Sequence, residues 1–478
     1  MTKSSTSVVL ARVIASAFLL TASSVGLLSQ NPARANIPYS DAEPILLNLQ
    51  EQLWPAELQG KTPRATEDAW VDWVSRRDAA IRARVVAGDE DSIIYLLQFG
   101  TTFTKQPRIT EQQLAGVAVR QAGSSATAFV PSPVLRARIE DFVAAVASPG
   151  TNERLQFARR VIDLQGIDPT NEEGRNRLRR YLEDRTALVG SAVHASTLHD
   201  PAAGLADQLT IFRDRGLASD TLIWINFGVD QALDAMKAKG LIGPGTIRRV
   251  GIIGPGLDFT DKQEGYDFYP QQTIQPFALI DSLSRLGLAA SAGLQVTALD
   301  LSPRVIQHLE AARMRAGSGN PYALVLPRNL DQPWTPALVK YWQGAGGRIG
   351  AETKSVALPP NAGRVAVRSV LVRPPVVLSI RPRDINIVVQ RIEPLADAER
   401  FDLIVATNIL IYYDVFEQSL AVANIAAMLG PGGFLLSNDR IFELPGGPVA
   451  SVGRTDVTYM EVPGGGPRGD RIEWYQRR

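Results

Sequence analysis

Hydrophobic and polar positions change their period partway along the chain. From Asn36 to about Pro201 the apolar residues recur at helical spacing. Trp70, Trp73, Val74, Ile81 and Val85 form one stripe between Asp68 and Ala87, and Leu135, Ile139, Phe142, Val143 and Val146 form another after Ser132-Pro133. Leu155 to Leu164 and Leu178 to Val189 repeat the pattern. The first helix is expected to stop at Gly88, with Asp89, Glu90 and Asp91 opening the next one through IIYLLQF. Thr221 to Lys239 predicts a further helix with Ile225, Val229, Leu233 and Met236 inward and Gly240 as a left-handed cap. Because it leads directly into the first strand, it is expected to cover the mouth of the site.

After Arg248 short apolar runs alternate with helical stretches. Val250 to Ile253 ends at Gly254-Pro255-Gly256, a helix follows, and Val296 to Leu299 ends at Asp300. Ser302-Pro303 then opens a helix through Val305, Leu309 and Met314. Residues 316 to 383 break the alternation with proline-rich loops, a short helix (Pro336 to Trp342) and β-like runs at Val365 to Val372 and Val376 to Ile380, which predict a small inserted antiparallel sheet. Alternation resumes at INIVV, residues 385 to 389, and continues through FDLIVATNILIYYD (401 to 414), a helix from Val415 to Leu429, and FLLSND. Val457 to Val462 and Arg471 to Tyr475 predict a closing hairpin.

These periods predict an α/β protein: a doubly wound, mostly parallel, seven-stranded Rossmann-like sheet with a C-terminal antiparallel hairpin, an inserted β subdomain and an N-terminal all-α domain. The expected divisions are 1–35, a signal peptide; 36–205, the helical domain; and 206–478, the α/β domain, with its insert at about 316–383. The leading segment carries Lys3 and Arg12 before the apolar stretch Val13 to Leu28, has no acid before Asp41, and offers Ala33-Arg34-Ala35 as a cleavage site after Ala35. Export to the periplasm or medium is the first expectation. An uncleaved anchor with the catalytic half in the cytoplasm is the second, and only in that case would the chain insert in a membrane.

Composition narrows the chemistry. There is no cysteine, so thiolate sites, disulfides and cysteine nucleophiles are excluded. His194 and His199 lack the i, i+4 spacing of a helical metal site, so no metal is expected. A net charge of +1 gives no reason to expect nucleic acid as a partner. The arginines at 175, 177, 179, 180 and 185 are either a surface for an anionic partner or a solvated face with acidic neighbours.

The order strand, glycine turn, helix, strand, acid is that of a nucleoside site beyond the carboxyl ends of parallel strands, where glycines admit the ligand's approach and a carboxylate accepts from ribose hydroxyls. A tight turn in an ordinary parallel sheet is the plainer alternative. Asp258 stands where a third glycine would favour pyrophosphate. A carboxylate there repels phosphate and can meet an ammonium, which favours a nucleoside bearing a cationic amino-acid tail.

Together VGIIGPGLD, TALDLSP, FDLIVATNIL and LGPGG, in this order across about residues 245 to 440, resemble the class I S-adenosylmethionine-dependent methyltransferases. FDLIVATNILIYYD also looks like the matching strand of the chemotaxis-receptor glutamate methyltransferases, which likewise have an N-terminal helical domain and a small sheet inserted after the second strand. Thr407 stands where that group has arginine.

The resemblance implies S-adenosyl-L-methionine as cofactor. It places Gly254, Pro255 and Gly256 against the methionine part, Asp300 and Leu301 at the ribose, Gln390 or Arg391 beside adenine, and Asn408 and Tyr412 at the transfer site. From the residues themselves, Asp258 and Asp267 are the candidate bases. They belong to a long loop with Asp261, Glu264, Tyr266 and Tyr269 that serves either the chemistry or packing against the helical half. The acceptor, a small molecule or a protein side chain, is not legible. The competing expectation is an exported, non-catalytic binding or interaction protein that keeps the fold.

Overall fold

The computed structural model describes residues 33–109, 131–197, 216–217, 223–259, 266–289, 293–462, 464 and 466–478. The leader-like segment through residue 32, Thr221, Asp261, Glu264 and His199 lie outside the described residues.

Ala33–Asn36 forms strand β1, followed by helices α1 (Tyr39–Asn48), α2 (Pro63–Phe99), α3 (Pro133–Ala147), α4 (Glu153–Leu164) and α5 (Glu172–Thr197). Thr62, Ser132 and Asn152 open α2, α3 and α4 by accepting first-turn N–H groups, with proline set just inside α2 and α3. The expected stop at Gly88 does not occur, and α2 runs unbroken for 37 residues. Gly88 is instead a contact glycine: a methyl there would collide with the Leu217 carbonyl, and the Leu217 N–H donates to the Arg84 carbonyl at 2.9 Å. Asp89 and Asp91 do not cap a helix; they pair with Arg304 and Arg185. The arginine run also has internal partners, such as Arg179 with Glu140.

The α/β half contains α6 (Ile223–Ala238), β2 (Arg249–Ile253), α7 (Gln275–Arg285), β3 (Gln295–Asp300) and α8 (Pro303–Gly317). The insert follows: β4 (Tyr322–Asn329), α9 (Pro336–Gly344), β5 (Gly350–Thr353), β6 (Val365–Val372) and α10 (Pro374–Leu378). Then come β7 (Ile380–Asp384), β8 (Gln390–Glu393), β9 (Phe401–Ala406), α11 (Val415–Met428), β10 (Leu429–Ser437), β11 (Val449–Val462) and β12 (Gly466–Arg477).

Seven strands form the main sheet in the order β11-β12-β10-β9-β2-β3-β7. Strands β10, β9, β2, β3 and β7 run parallel, and β12 is antiparallel to both its neighbours. The chain enters at β2, works outward to β7, and returns to β9 on the other side of β2. That reversal leaves a crevice at the carboxyl ends of β2 and β9. The architecture is a Rossmann-like, mostly parallel sheet with a closing antiparallel hairpin. The insert is a three-stranded antiparallel sheet in the order β4-β6-β5.

Two of the expected strands are corrected. The third strand is IRPRD, not INIVV; it is an edge strand, where Pro382 costs little. INIVV is a buried connection whose Ile385, Ile387, Val388 and Val389 pack with α1, α2 and α11. Val376 to Leu378 belongs to the short helix α10, started by Pro374-Pro375.

Packing also redraws the helical half. One face of the sheet is covered by α6, α7, α8 and the insert, the other by α1, α11 and the first part of α2. The second part of α2 joins α3, α4 and α5 in a separate core that takes in Phe259. Thus α2 belongs to both layers. Helix α6 has the inward residues expected of it, but it packs on α7, β11 and β12. The mouth of the crevice is covered by α2 instead.

Candidate functional site

Three strand ends meet at the crevice. Gly254 and Gly256 leave β2 with φ of +63° and +71°, a left-handed backbone that glycine adopts without strain. The Gly254 N–H donates to the Leu299 carbonyl at 2.8 Å, and a methyl on Gly254 would run into Cδ1 of Ile409. Strands β2, β3 and the loop after β9 are therefore in contact through this one glycine.

Asp300 ends β3. Its carboxylate accepts the Ser302 N–H at 2.8 Å, and the backbone N–H groups of Gly256 and Leu301 lie on its side of the turn and favour its charged form. Burial pushes its pKa up to about 6, while the three N–H groups and the nearby Arg304 favour the charged form and hold the rise in check. The turn joins the end of β3 through the Gly254 N–H and the Leu299 carbonyl, one residue before the acid.

After β9, Asn408 takes φ of +57°. Its N–H donates to Asn438 Oδ1 at 2.7 Å, and Asn438 Nδ2 donates to its Oδ1 at 2.7 Å. The N–H groups of Leu410 and Ile411 donate to Asp439 Oδ2 at 2.9 and 3.2 Å. Burial pushes Asp439 to about 6 against these bonds, with the nearby Ile409 N–H also favouring its charged form. Asn438 and Asp439 follow β10 and hold the loop that carries Asn408 and Tyr412.

Helix α2 lies along this rim. Arg82 donates to Asp384, at the end of β7, at 2.8 Å; Arg84 donates to the Tyr412 carbonyl at 2.9 Å and lies 5.9 Å from the Tyr413 ring centroid. Asp89 meets Arg304 of α8 at 3.2 Å, and Arg304 stacks on Phe157 at 4.2 Å. A cavity of about 340 Å³ remains between α2, α4 and α8, lined by Arg82, Val85, Asp89, Phe157, Leu301 and Arg304 among others. It opens beside Leu301, the residue after Asp300. A second cavity, of about 370 Å³, lies between α1, α11 and the loop before β11, lined by Pro44, Ile45, Val422, Ala426, Ile441 and Arg477 among others.

The structure therefore brings Gly254, Pro255, Gly256, Asp300, Leu301, Asn408 and Tyr412 to one rim. Four expected residues are elsewhere. Gln390 and Arg391 form β8, which pairs with β1; Gln390 accepts from Arg82 and from the Asn386 N–H, and Arg391 is ion-paired with Asp41 and Glu393. Neither is available to adenine. Asp258 is buried, accepting from the Tyr269 hydroxyl at 2.7 Å and from Gln272 at 3.1 Å. Asp267 is buried too, and each of its oxygens accepts twice, from the N–H and hydroxyl of Thr101 and of Thr102. The described part of the long loop packs: Tyr266 and Tyr269 are buried against Val325 of the insert.

The rim residues missed from sequence are Arg82, Arg84, Arg304, Asn438 and Asp439. Asp78, Arg82 and Asp89 recur at helical spacing on α2, a polar stripe interrupting an otherwise apolar face, and that was the available signal.

No protein-family model matches the chain, and no curated protein matches it in sequence. Among solved structures it is similar to TrmN from Thermus thermophilus, with 14% identity over 52% of this chain and 48% of the other and a TM-score of 0.25. The chain thus spans about half the length of that protein. It is also similar to N-methyltransferase NodS from Bradyrhizobium japonicum WM9, with 13% identity, 52% and 94% coverage and a TM-score of 0.24. Magnesium protoporphyrin IX methyltransferase (ChlM) from Synechocystis PCC 6803, with bound SAM, gives 13%, 59%, 100% and 0.25 in the same terms.

Proposed function

We propose that the chain is an S-adenosylmethionine-dependent methyltransferase. The observation that carries this reading is the meeting of two strand ends: β2 and β3 pair in parallel and the Gly254 N–H donates to the Leu299 carbonyl at 2.8 Å, which sets the 254–256 turn beside Asp300 at one crevice. The residues fit the group. The left-handed glycines at 254 and 256 turn the backbone at the end of β2 next to Asp300, and Asp300 can exchange its Ser302 N–H bond for ribose hydroxyls. The cavity beside Leu301 offers the base apolar walls from Val85, Phe157 and Leu301 and polar ones from Arg82, Asp89 and Arg304.

When bound, S-adenosylmethionine supplies a methyl group on a sulfonium, a leaving group already activated by its charge. The chain's contribution is alignment and exclusion of water. Asp300 and the 254–256 turn fix the nucleoside, the Asn408 to Tyr412 loop faces the transfer position, and α2 closes the rim. Neither Asp258 nor Asp267 serves as a base, because both are buried in structural bonds. This supports an acceptor whose nucleophilic lone pair is available at neutral pH. The nearer likeness to receptor-modifying enzymes does not extend to a glutamate acceptor: in place of their arginine, Thr407 is buried and accepts from Gln275 at 2.8 Å.

Calorimetric titration of the chain with S-adenosylmethionine and with S-adenosylhomocysteine tests the proposal. Micromolar binding weakened at least about tenfold by Asp300→Ala is expected, since a charged acceptor of two hydroxyls is lost. A flat titration sinks the reading and leaves the non-catalytic alternative. Export stands beside it as a proposal of its own, motivated by the leader-like start. Amino-terminal sequencing of the natural protein tests it, and a start at Met1 or Thr2 would end it.

A further inference from the structure

We infer that Asn438 is a positioning residue that turns the Asn408 amide so that its NH2 end, and not its oxygen, is offered to the transfer site. The inference rests on the methyltransferase reading above and adds a chemical preference to it.

The orientation of both amides follows from one backbone group. The Asn408 N–H can only donate, so the atom of Asn438 that it meets at 2.7 Å is the oxygen. The NH2 of Asn438 is then the end that faces the Asn408 side chain. Because an NH2 can only donate, the atom it meets at 2.7 Å is Asn408 Oδ1. The pair closes on itself: the oxygen of Asn408 is engaged, while its Nδ2 makes no hydrogen bond among the described residues. Asn408 is exposed, and its φ of +57° is one that asparagine tolerates better than most side chains. Two bonds from one partner hold it there.

A donor at the transfer position complements a lone pair and opposes a protonated amine. The group that meets Asn408 is therefore an oxygen or a neutral nitrogen, not an ammonium. Had the amide been reversed, its oxygen would have suited an ammonium.

Two ligands separate these cases. Sinefungin carries a protonated amine in place of the transferable methyl, and S-adenosylhomocysteine carries nothing there. Calorimetry on the full chain should find sinefungin binding no tighter than S-adenosylhomocysteine. In Asn438→Asp the carboxylate still accepts the Asn408 N–H but now requires a donor from the side chain, which turns the amide round. The affinity ratio should move about tenfold toward sinefungin, the scale of one hydrogen bond to a charged group. In the double variant Asn438→Asp with Asn408→Ala the ratio should return to the unmodified value. A shift that persists there comes from the charge at 438 itself and overturns the inference, as does a natural chain that prefers sinefungin. Should Asn438→Asp fail to fold by thermal melting, Asn438→Ser, whose hydroxyl leaves the amide free to turn, should move the ratio about threefold the same way; no movement overturns the inference. Failure of the natural chain to bind either ligand is a separate result, which removes the methyltransferase reading and this inference with it.

Discussion

Arg82 and Asp384 meet at 2.8 Å although 302 positions separate them in sequence, and their contact joins helix α2 to the outermost parallel strand. Arg82 also holds Asp78 at 3.0 Å and Gln390 at 3.3 Å. The pair is partly exposed, so removing it is expected to cost about 1 kcal/mol or less in stability. Its effect on the rim should be larger, because α2 is what covers the crevice. Arg82→Ala is expected to weaken S-adenosylhomocysteine binding about fivefold with little change in melting temperature, roughly the loss of a 1 kcal/mol constraint. Equal affinity in calorimetry would show that α2 is held over the site by other contacts.

Asp384 has a second partner, Arg34 of β1, at 3.1 Å. Cleavage after Ala35, which the leader-like start predicts, falls inside this strand. It would remove the pairings of Ala33, Arg34 and Ala35 with Glu393, Ile392 and Arg391, together with the Arg34 ion pair. A chain beginning at Asn36 is expected to be less stable than one beginning at Ala33 by about 1–3 kcal/mol, the worth of two or so ladder bonds. Urea unfolding of the two chains measures the difference. No difference would mean that the strand is dispensable and that cleavage there is free of cost.

One partly buried acid, Asp300, and one buried acid, Asp439, give the site a pH dependence whose sign differs between folding and binding. Asp300 and Asp439 are each raised from 3.8 to about 6 by burial. The folded state therefore holds more protons than the unfolded one in that window, and the stability these groups contribute falls as pH climbs from about 4 to about 6. Ligand binding runs the other way, since Asp300 must be ionised to accept ribose hydroxyls. Affinity for S-adenosylhomocysteine is expected to rise about tenfold from pH 5 to pH 7, then level off. Asp300→Asn should bind weakly with no such rise, whereas Asp439→Asn should keep the rise and lose stability. A rise that survives in Asp300→Asn would assign the titration to another group.

The glycine turn and Asp300 were legible because each is a local signal: an apolar run that stops at a residue with one backbone or chemical property. The strand that carries Asp384 was not legible. Its sequence, IRPRD, is polar because it lies at the sheet's edge, while the neighbouring INIVV is apolar because a second layer of helices packs on it. Hydrophobicity alone therefore favoured the wrong segment, and Gln390 and Arg391 were carried to the wrong place with it. Helix α2 shows the same limit. Its apolar stripe predicted a helix, but its part in the rim depends on Arg82, Arg84 and Asp89 finding partners hundreds of residues away. Gly88 looked like a stop because a close-packed neighbour leaves no mark on the local pattern.

Asp267 offers the sharpest contrast between a catalytic and a structural acid. Its Oδ1 accepts from the Thr101 N–H and hydroxyl at 2.7 and 2.6 Å, and its Oδ2 from the Thr102 N–H and hydroxyl at 3.2 and 2.6 Å. These bonds fasten the loop beyond β2 to the turn that ends α2. In Asp267→Asn an NH2 replaces one acceptor and faces donors, so a loss of about 1–3 kcal/mol is expected. Ligand affinity at neutral pH should stay within about twofold, because this acid belongs to the seam and not to the rim. Thermal melting and calorimetry on the same sample decide the matter. An unchanged melting temperature with lost methyl transfer would return Asp267 to the chemistry, while a lowered melting temperature with retained binding fixes it as the anchor.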